Sequence, residues 1–153
     1  MLRLDIPQRD TIELHHAVFD INGTLAVDGI AMPQVIDALR DLSELLSIHL
    51  LTAGTHGNMT YLEADLGFPL HLISKGEEKT HYVQQLGPEH VVATGNGIND
   101  IGMLRLAAIG IVVMTSEGIA ARALQAADIL VTNPLDAINL LLKPKRLIAT
   151  LRG

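Results

Sequence analysis

The feature that most constrains this chain is a set of short aliphatic runs, each of which stops at a carboxylate, a hydroxyl or a glycine-asparagine pair. Ala17-Val18-Phe19 runs into Asp20, Ile48 to Leu51 into Thr52, and Val91 to Thr94 into Gly95-Asn96-Gly97. Between such runs lie segments with apolar residues at helical spacing, as in Val35, Leu39, Leu42 and Leu46 behind Pro33. Strands that are apolar on both sides need cover on both sides, so alternation with amphipathic helices predicts βαβ units on a parallel sheet. The expected fold is α/β: a three-layer, Rossmann-like parallel sheet with helices on both faces. At 153 residues, 48% hydrophobic but only 3% aromatic, the chain suits a single domain over 1–153 with an aliphatic core.

The remaining elements follow from local signals. Leu2 to Ile6 and the stretch from Thr11, separated by Pro7-Gln8-Arg9-Asp10, predict an N-terminal β-hairpin extension over 1–16. A helix is expected from about Gly57 to Leu66. Ser74 and Glu77 have the spacing of a capping box for a helix that Gly87-Pro88 ends. Further helices are expected from the loop at Gly95 to about Ala107, from Glu117 to Ala127, and from Pro134 behind an Asn133 cap. Ile109 to Met114 and Ile129 to Val131 read as strands, and Lys143 to Arg152 as a last turn or strand on the sheet edge.

Charge and composition exclude several function classes. Lys and Arg are outnumbered 11 to 17 by Asp and Glu, for a net charge of −6, so a nucleic-acid partner is not expected. Cys is absent, which excludes disulfides and thiolate metal sites. Residues 1–10 carry no apolar signal region, and no apolar run reaches the roughly 18 residues of a membrane span, so a cytoplasmic protein with no membrane partner is expected.

In an open parallel sheet, ligands bind beyond the carboxyl ends of the strands. Asp20, Thr52, the Lys75 and Lys79 pair after Leu70 to Ile73, and Gly95 to Asp100 all fall there. A carboxylate ending an apolar strand needs a compensating charge, and Asp100, a lysine and a divalent ion are the available means.

The order and spacing of these residues resemble the haloacid dehalogenase (HAD) superfamily. Asp20-Ile21-Asn22-Gly23-Thr24-Leu25 is similar to its first motif, Thr52 to its second, Lys79 in Gly76-Glu77-Glu78-Lys79 to its third, and Gly95-Asn96-Gly97-Ile98-Asn99-Asp100 to its fourth. The resemblance runs from about Phe19 to Val131 and is nearest to the phosphorylation domain of P-type ATPases and to small soluble proteins like it. It implies a Mg²⁺-dependent phosphatase or phosphotransferase for a small phosphorylated substrate, with Asp20 as nucleophile. Thr52 and Lys79 are then phosphoryl-binding, with Gly23, Thr24, Ala53 and Asn99 beside them, and Asp20, Asn22, Asn96 and Asp100 hold the metal. Lys75 is the alternative site lysine. Leu25 to Met32 forms a flap hairpin turning at Asp28-Gly29, and no cap domain fits between the motifs. An open site of this kind implies a homo-oligomer in which a neighbour closes it.

Two positions depart from the pattern. Asn22 stands where hydrolytic members carry an aspartate that serves as general acid and base, and an amide does neither. Asn96 stands where another aspartate helps hold magnesium. These departures motivate the alternative of a catalytically impaired protein that binds phosphate or a partner. A dinucleotide site is disfavoured because Asp100 occupies the third glycine position of that fingerprint. A phospho-accepting regulatory module is disfavoured because His15-His16 stand where its acidic pair belongs. Of the scattered histidines only His56, in the loop after Thr52, is a site candidate; the others are expected on the surface or satisfied within strands.

Overall fold

The computed structural model describes residues 1–54 and 59–153. Strands β1 (Leu2–Leu4) and β2 (Ile12–Leu14) form the antiparallel N-terminal hairpin, with Leu2 opposite Leu14. The chain then enters β3 (His16–Asp20), and β4 (Ala26–Val27) and β5 (Ile30–Ala31) make a second small hairpin. Its turn is Asp28-Gly29, both at positive φ (52° and 77°), the mirror-image turn that matches strand twist. Helix α1 (Pro33–Ser43), β6 (Ser47–Thr52), α2 (Met59–Leu66), β7 (Leu70–Leu72), α3 (Gly76–Leu86) and β8 (Val91–Gly95) follow. After β8 the chain makes a 3₁₀ turn at Ile98–Asp100, then α4 (Ile101–Leu106), β9 (Ile109–Val113), α5 (Ala121–Leu124), β10 (Ile129–Val131), α6 (Pro134–Leu142) and α7 (Pro144–Leu151).

The six-stranded sheet is parallel throughout, in the order β10-β9-β8-β3-β6-β7. From β3 the chain winds outward through β6 and β7, then returns to β8 on the other side of β3 and winds outward again. The crevice at this reversal lies between the carboxyl ends of β3 and β8, where a doubly wound sheet binds its ligand. Residues on one face (Ala17, Phe19, Leu50, Val92, Ile111) pack with the N-terminal hairpin and the inward sides of α1, α2, α6 and α7. Those on the other (Val18, Leu51, Ala93, Val112) pack with α3, α4 and α5. This is the expected three-layer arrangement.

Some boundaries differ from expectation for local reasons. Where a last turn or strand is expected over 143–152, Pro144–Leu151 form a helix: Leu147 and Leu151 are spaced four apart and both buried, and α7 packs on the first helix face. At the start of α3 only the glutamate half of a capping box forms, one residue later than Ser74 and Glu77 suggest. Lys75 is extended, and its N–H is accepted by Glu78 Oε2 at 3.4 Å. The helix expected from Glu117 shrinks to Ala121–Leu124 because Gly118 lies at φ +85° and Ala120 N–H is drawn to the carbonyl of Asn96 at 2.9 Å.

Candidate active site

Four separate stretches of chain meet at the crevice. Asp20 ends β3, Thr52 ends β6, Lys79 stands on the first turns of α3, and Asn96 to Asp100 follow β8. Asp20 and Thr52 reach the rim because each is the last residue of its strand, where the chain leaves the core. Lys79 has no exposed surface, and its Nζ donates to Asp20 Oδ1 at 2.6 Å and to Asp100 Oδ1 at 2.8 Å. One ammonium thus joins two buried carboxylates.

Burial and the neighbouring Asp100 charge push the Asp20 carboxyl up to about 6, against the pull of Lys79 and Thr24. Burial also opposes the charge on Lys79, but the two carboxylates outweigh it and hold its pKa above the ordinary lysine value. The ammonium is therefore fixed at neutral pH, while Asp20 is a carboxylate whose charge is only partly compensated.

Asp100, expected among the metal ligands, is bonded to Lys79 and to the loop after β8. Its Oδ1 takes the Lys79 proton donor, and its Oδ2 accepts the N–H groups of Asn96 and Gly97, each at 2.9 Å. Both oxygens are engaged, so Asp100 anchors Lys79 and shapes the loop. This packing needs Gly95, because a Cβ there would lie 2.6 Å from the Asp100 carboxyl carbon and oxygen. Gly95→Ala is expected to displace Asp100 and lower stability by about 1–3 kcal/mol. Urea titration of the variant measures this, and an unchanged midpoint would contradict the packing argument.

Around Asp20, the Thr24 hydroxyl lies 3.2 Å from its Oδ2 and 3.3 Å from Asn96 Oδ1, two acceptors for one proton. Asn22 Nδ2 donates to Thr52 Oγ1 at 3.4 Å, and Gly54 N–H donates to the same oxygen at 3.2 Å. Thr52 accepts both, which leaves its own O–H to point at an anion. Asn96 Nδ2 donates to the carbonyl of Gly118 at 3.2 Å. Gly23, at φ +76°, lets this amide approach, since a Cβ would sit 2.4 Å from it.

The N–H groups of Gly23, expected beside the phosphoryl group, and of Gly97 are both occupied. Gly23 donates to Ala26 O at 2.8 Å and Gly97 to Asp100 Oδ2. Asn99 is half-buried, with no side-chain hydrogen bond among the described residues, and its backbone packs against Gly76 at the start of α3. Ala53 directly follows Thr52 and is half-buried. Lys75 is exposed at the α3 N-terminus, so Lys79 is the lysine in the crevice. His56 lies outside the described residues.

One contributor was missed from sequence. Thr115, just beyond β9, donates to the carbonyl of Gly23 at 3.1 Å and accepts Glu117 N–H at 3.2 Å, while Glu117 Oε2 accepts Asp28 N–H at 3.2 Å. This loop braces both the Asp20 loop and the small hairpin. Its position after a strand end was the available signal.

No family model matches the sequence. An uncharacterised protein of Methanocaldococcus jannaschii is 42% identical over 62 residues, which are 40% of this chain and 67% of that protein. Among solved structures, the 3-deoxy-D-manno-octulosonate 8-phosphate phosphatase of Moraxella catarrhalis, in complex with magnesium, phosphate and KDO, is similar with a TM-score of 0.70 at 18% identity. The match covers 91% of this chain and 94% of that one. A putative HAD superfamily hydrolase of Legionella pneumophila gives 0.70 at 15% identity, over 90% of this chain and 87% of that one. The catalytic domain of the CPx-ATPase CopB gives 0.55 at 21% identity, over 81% of this chain but 46% of that one. At these identities the likeness is one of fold, and it spans nearly the whole chain. With the central strand order and the crevice already described, it shows that this chain has the fold of the HAD superfamily.

Proposed function

We propose that the protein is a phosphohydrolase or phosphotransferase of small phosphorylated compounds that works through an aspartyl-phosphate at Asp20. The observation that carries this reading is the Asp20–Lys79–Asp100 triad, closed by bonds of 2.6 and 2.8 Å at the switch point of the sheet. A carboxylate of Asp20 attacks phosphorus, the bond to the leaving oxygen breaks, and the leaving group departs with its electron pair. Water then attacks the phosphorus of the acyl-phosphate, the bond between phosphorus and the Asp20 oxygen breaks, the water's protons go to the departing phosphate and to solvent, and Asp20 is restored as a carboxylate. Lys79 and the Thr52 hydroxyl place positive charge and a donor beside the phosphoryl oxygens, where charge spreads in the transition state.

The donors present fit Mg²⁺. The Asp20 carboxylate, the main-chain carbonyl of Asn22 and the Asn96 amide oxygen form an all-oxygen set, which this hard ion completes with waters. When bound, the ion neutralises charge on the phosphoryl oxygens. Among the described residues no three His, Cys, Asp or Glu side chains converge to hold a metal, so amide and carbonyl oxygens carry much of the site. With one carboxylate facing the ion, weaker Mg²⁺ affinity follows than for a site with two. The magnesium and phosphate bound in the Moraxella phosphatase support this reading. A neighbouring copy closing the open crevice belongs to the same proposal. No helix among the described residues is long and apolar enough to cross a membrane.

Asn22 sets the substrate range. With no side-chain acid to protonate it, the leaving group must be stable as an anion, which favours acyl phosphates and aryl phosphates over alkyl phosphates. Asn22→Asp is expected to raise alkyl-phosphate hydrolysis by about 10²- to 10⁴-fold while changing acetyl phosphate turnover little. A Mg²⁺-dependent panel of acetyl phosphate, p-nitrophenyl phosphate and an alkyl phosphate on both forms tests this. Equal gains on all three substrates would contradict it. The second reading, a phosphate-binding protein without turnover, is favoured by the two amides at positions 22 and 96, and it predicts an inert wild type that Asn22→Asp activates.

The Asp20 carboxyl carbon of metal-free protein should titrate with a midpoint near 6 by NMR, because burial and Asp100 raise it. Mg²⁺ should move that midpoint down by about one unit or more, as a cation favours the charged form. A midpoint indifferent to Mg²⁺ would remove Asp20 from the metal site.

A further inference from the structure

Behind the crevice, the same face of the sheet carries a row of imidazoles that the proposed reaction does not use. Register places them there: Val18 is opposite His49 and Leu51 opposite His71, so by strand alternation His16, Val18 and Asp20 share a face with His49, Leu51 and His71. Helix α3 lies over this face. Lys79 reaches Asp20, and Tyr82, on the same side of the helix three residues later, reaches His49. His16 Nδ1 and His49 Nε2 are 3.1 Å apart, and His49 Nδ1 is 2.9 Å from the Tyr82 hydroxyl. The His71 ring lies 5.3 Å from that of Tyr82.

We propose that the His16–His49–Tyr82 chain is an acid-sensitive seat for α3, which keeps Lys79 on Asp20 while the chain carries at most one added proton and releases it on a second. The proton count follows from geometry. When both rings are neutral, one facing nitrogen donates and the other accepts. One added proton, on His16, keeps an N–H facing a bare nitrogen and turns the His49 Nδ1–H toward Tyr82. A second puts N–H against N–H at 3.1 Å and two positive charges in contact. The pair must then part, and the side of His49 away from His16 is α3.

Among the described residues no carboxylate lies within 4.0 Å of the His16 or His49 ring nitrogens to offset this charge. From β7 the facing group is His71, and from α3 they are Tyr82 and, a turn earlier, Lys79. From β3 come His16 and, at the far end of the strand, Asp20, which is tied to Lys79. His90, on the turn before β8, has its ring 4.7 Å from that of His15 and tilted by 53° to it, and Glu89, 4.0 Å from His90, is the one carboxylate within that distance of these imidazoles among the described residues. His16, His15 and Glu44 line a cavity of about 310 Å³ at the amino ends of the strands, which gives the chain its route to bulk protons. In keeping with this, burial and the imidazoles of His16 and His71 hold His49 down to about 4, and burial with His15 and His90 also lowers His16.

Only the effect on catalysis rests on the proposed function, so the test uses no substrate. Isotope-labelled full-length protein is titrated by NMR from about pH 8 to 3, a range that carries the His49 protonation past its midpoint, following the ring nitrogens of His16 and His49 and the side-chain signals of Lys79. In wild type, a late protonation of His49 should coincide with a displacement of the Lys79 signals. His49→Gln, which keeps hydrogen bonding but takes no proton, should abolish that displacement. Tyr82→Phe, which cuts the link to α3, should leave the His49 titration but uncouple Lys79 from it. A Lys79 response identical in all three proteins would assign it to Asp20 and overturn the proposal, as would a wild-type His49 that protonates with Lys79 unmoved. Absence of phosphatase activity would sink the proposed function and leave this result standing.

Discussion

Lys79→Met is expected to lower the stability of the fold by about 3–5 kcal/mol and to remove the proposed phosphatase activity. Lys79 is fully buried and is the ammonium shared by Asp20 and Asp100, of which Asp100 is also fully buried and Asp20 is 6% exposed. Removing one member of a buried ionic cluster leaves uncompensated charge, which costs far more than the cluster contributes when intact. Without the ammonium, which pulls the Asp20 carboxyl down, that group's pKa rises further. A folded-state pKa raised above the unfolded value favours the native state at low pH and loses that benefit as pH rises through it. The deficit of the variant is therefore smallest near pH 5 and largest near pH 8. Urea denaturation at the two pH values measures it; a deficit under about 1 kcal/mol at pH 8 would mean that the triad does not hold the crevice together.

Asp20→Asn acts in the opposite sense on stability and more severely on turnover. The amide cannot form an acyl-phosphate, so activity on acetyl phosphate should fall by on the order of 10⁴-fold or more. The fold does not suffer. In the native protein the Asp20 carboxyl is pushed up to about 6 from 3.8, so ionising it above that pH gives up stability of at most about 3 kcal/mol. The sign is that of a raised pKa: the benefit of the protonated form is complete below about 4 and is lost as pH rises through 6. An uncharged amide avoids that loss, and the variant should be about 1–3 kcal/mol more stable than wild type at pH 8 and no more stable near pH 4. Opposite stability effects from two partners in one ion pair distinguish this account from a purely structural salt bridge, where removing either partner destabilises.

Sequence made the rim of the sheet readable because the same rule governs every residue there. Asp20 and Thr52 each close an aliphatic run at the carboxyl end of a strand, so their spacing encodes the crevice. The small hairpin was readable from Asp28-Gly29, which admits the positive φ values that its turn requires. Helix α7 was not, since Leu147, Ile148 and Leu151 over so short a stretch fit a strand edge or a helix until a packing partner is known. The bonding of Asp100 was hidden for another reason. Whether a carboxylate meets a metal, a lysine or two backbone N–H groups depends on the path of the Asn96-Gly97 backbone, and only the fold sets that path. The histidine row was likewise invisible, because residues 16, 49 and 71 become neighbours through strand register and not through spacing.

The central claim is a covalent bond between phosphorus and Asp20, and borohydride tests it most directly. Wild-type protein turning over acetyl phosphate with Mg²⁺ is quenched in acid and reduced, which converts an aspartyl-phosphate to homoserine, and the digest is read by mass spectrometry. Homoserine at position 20, absent without substrate and absent in Asp20→Asn, is the predicted result. Continued Mg²⁺-dependent turnover with an unmodified Asp20, or with homoserine at another aspartate, would contradict it.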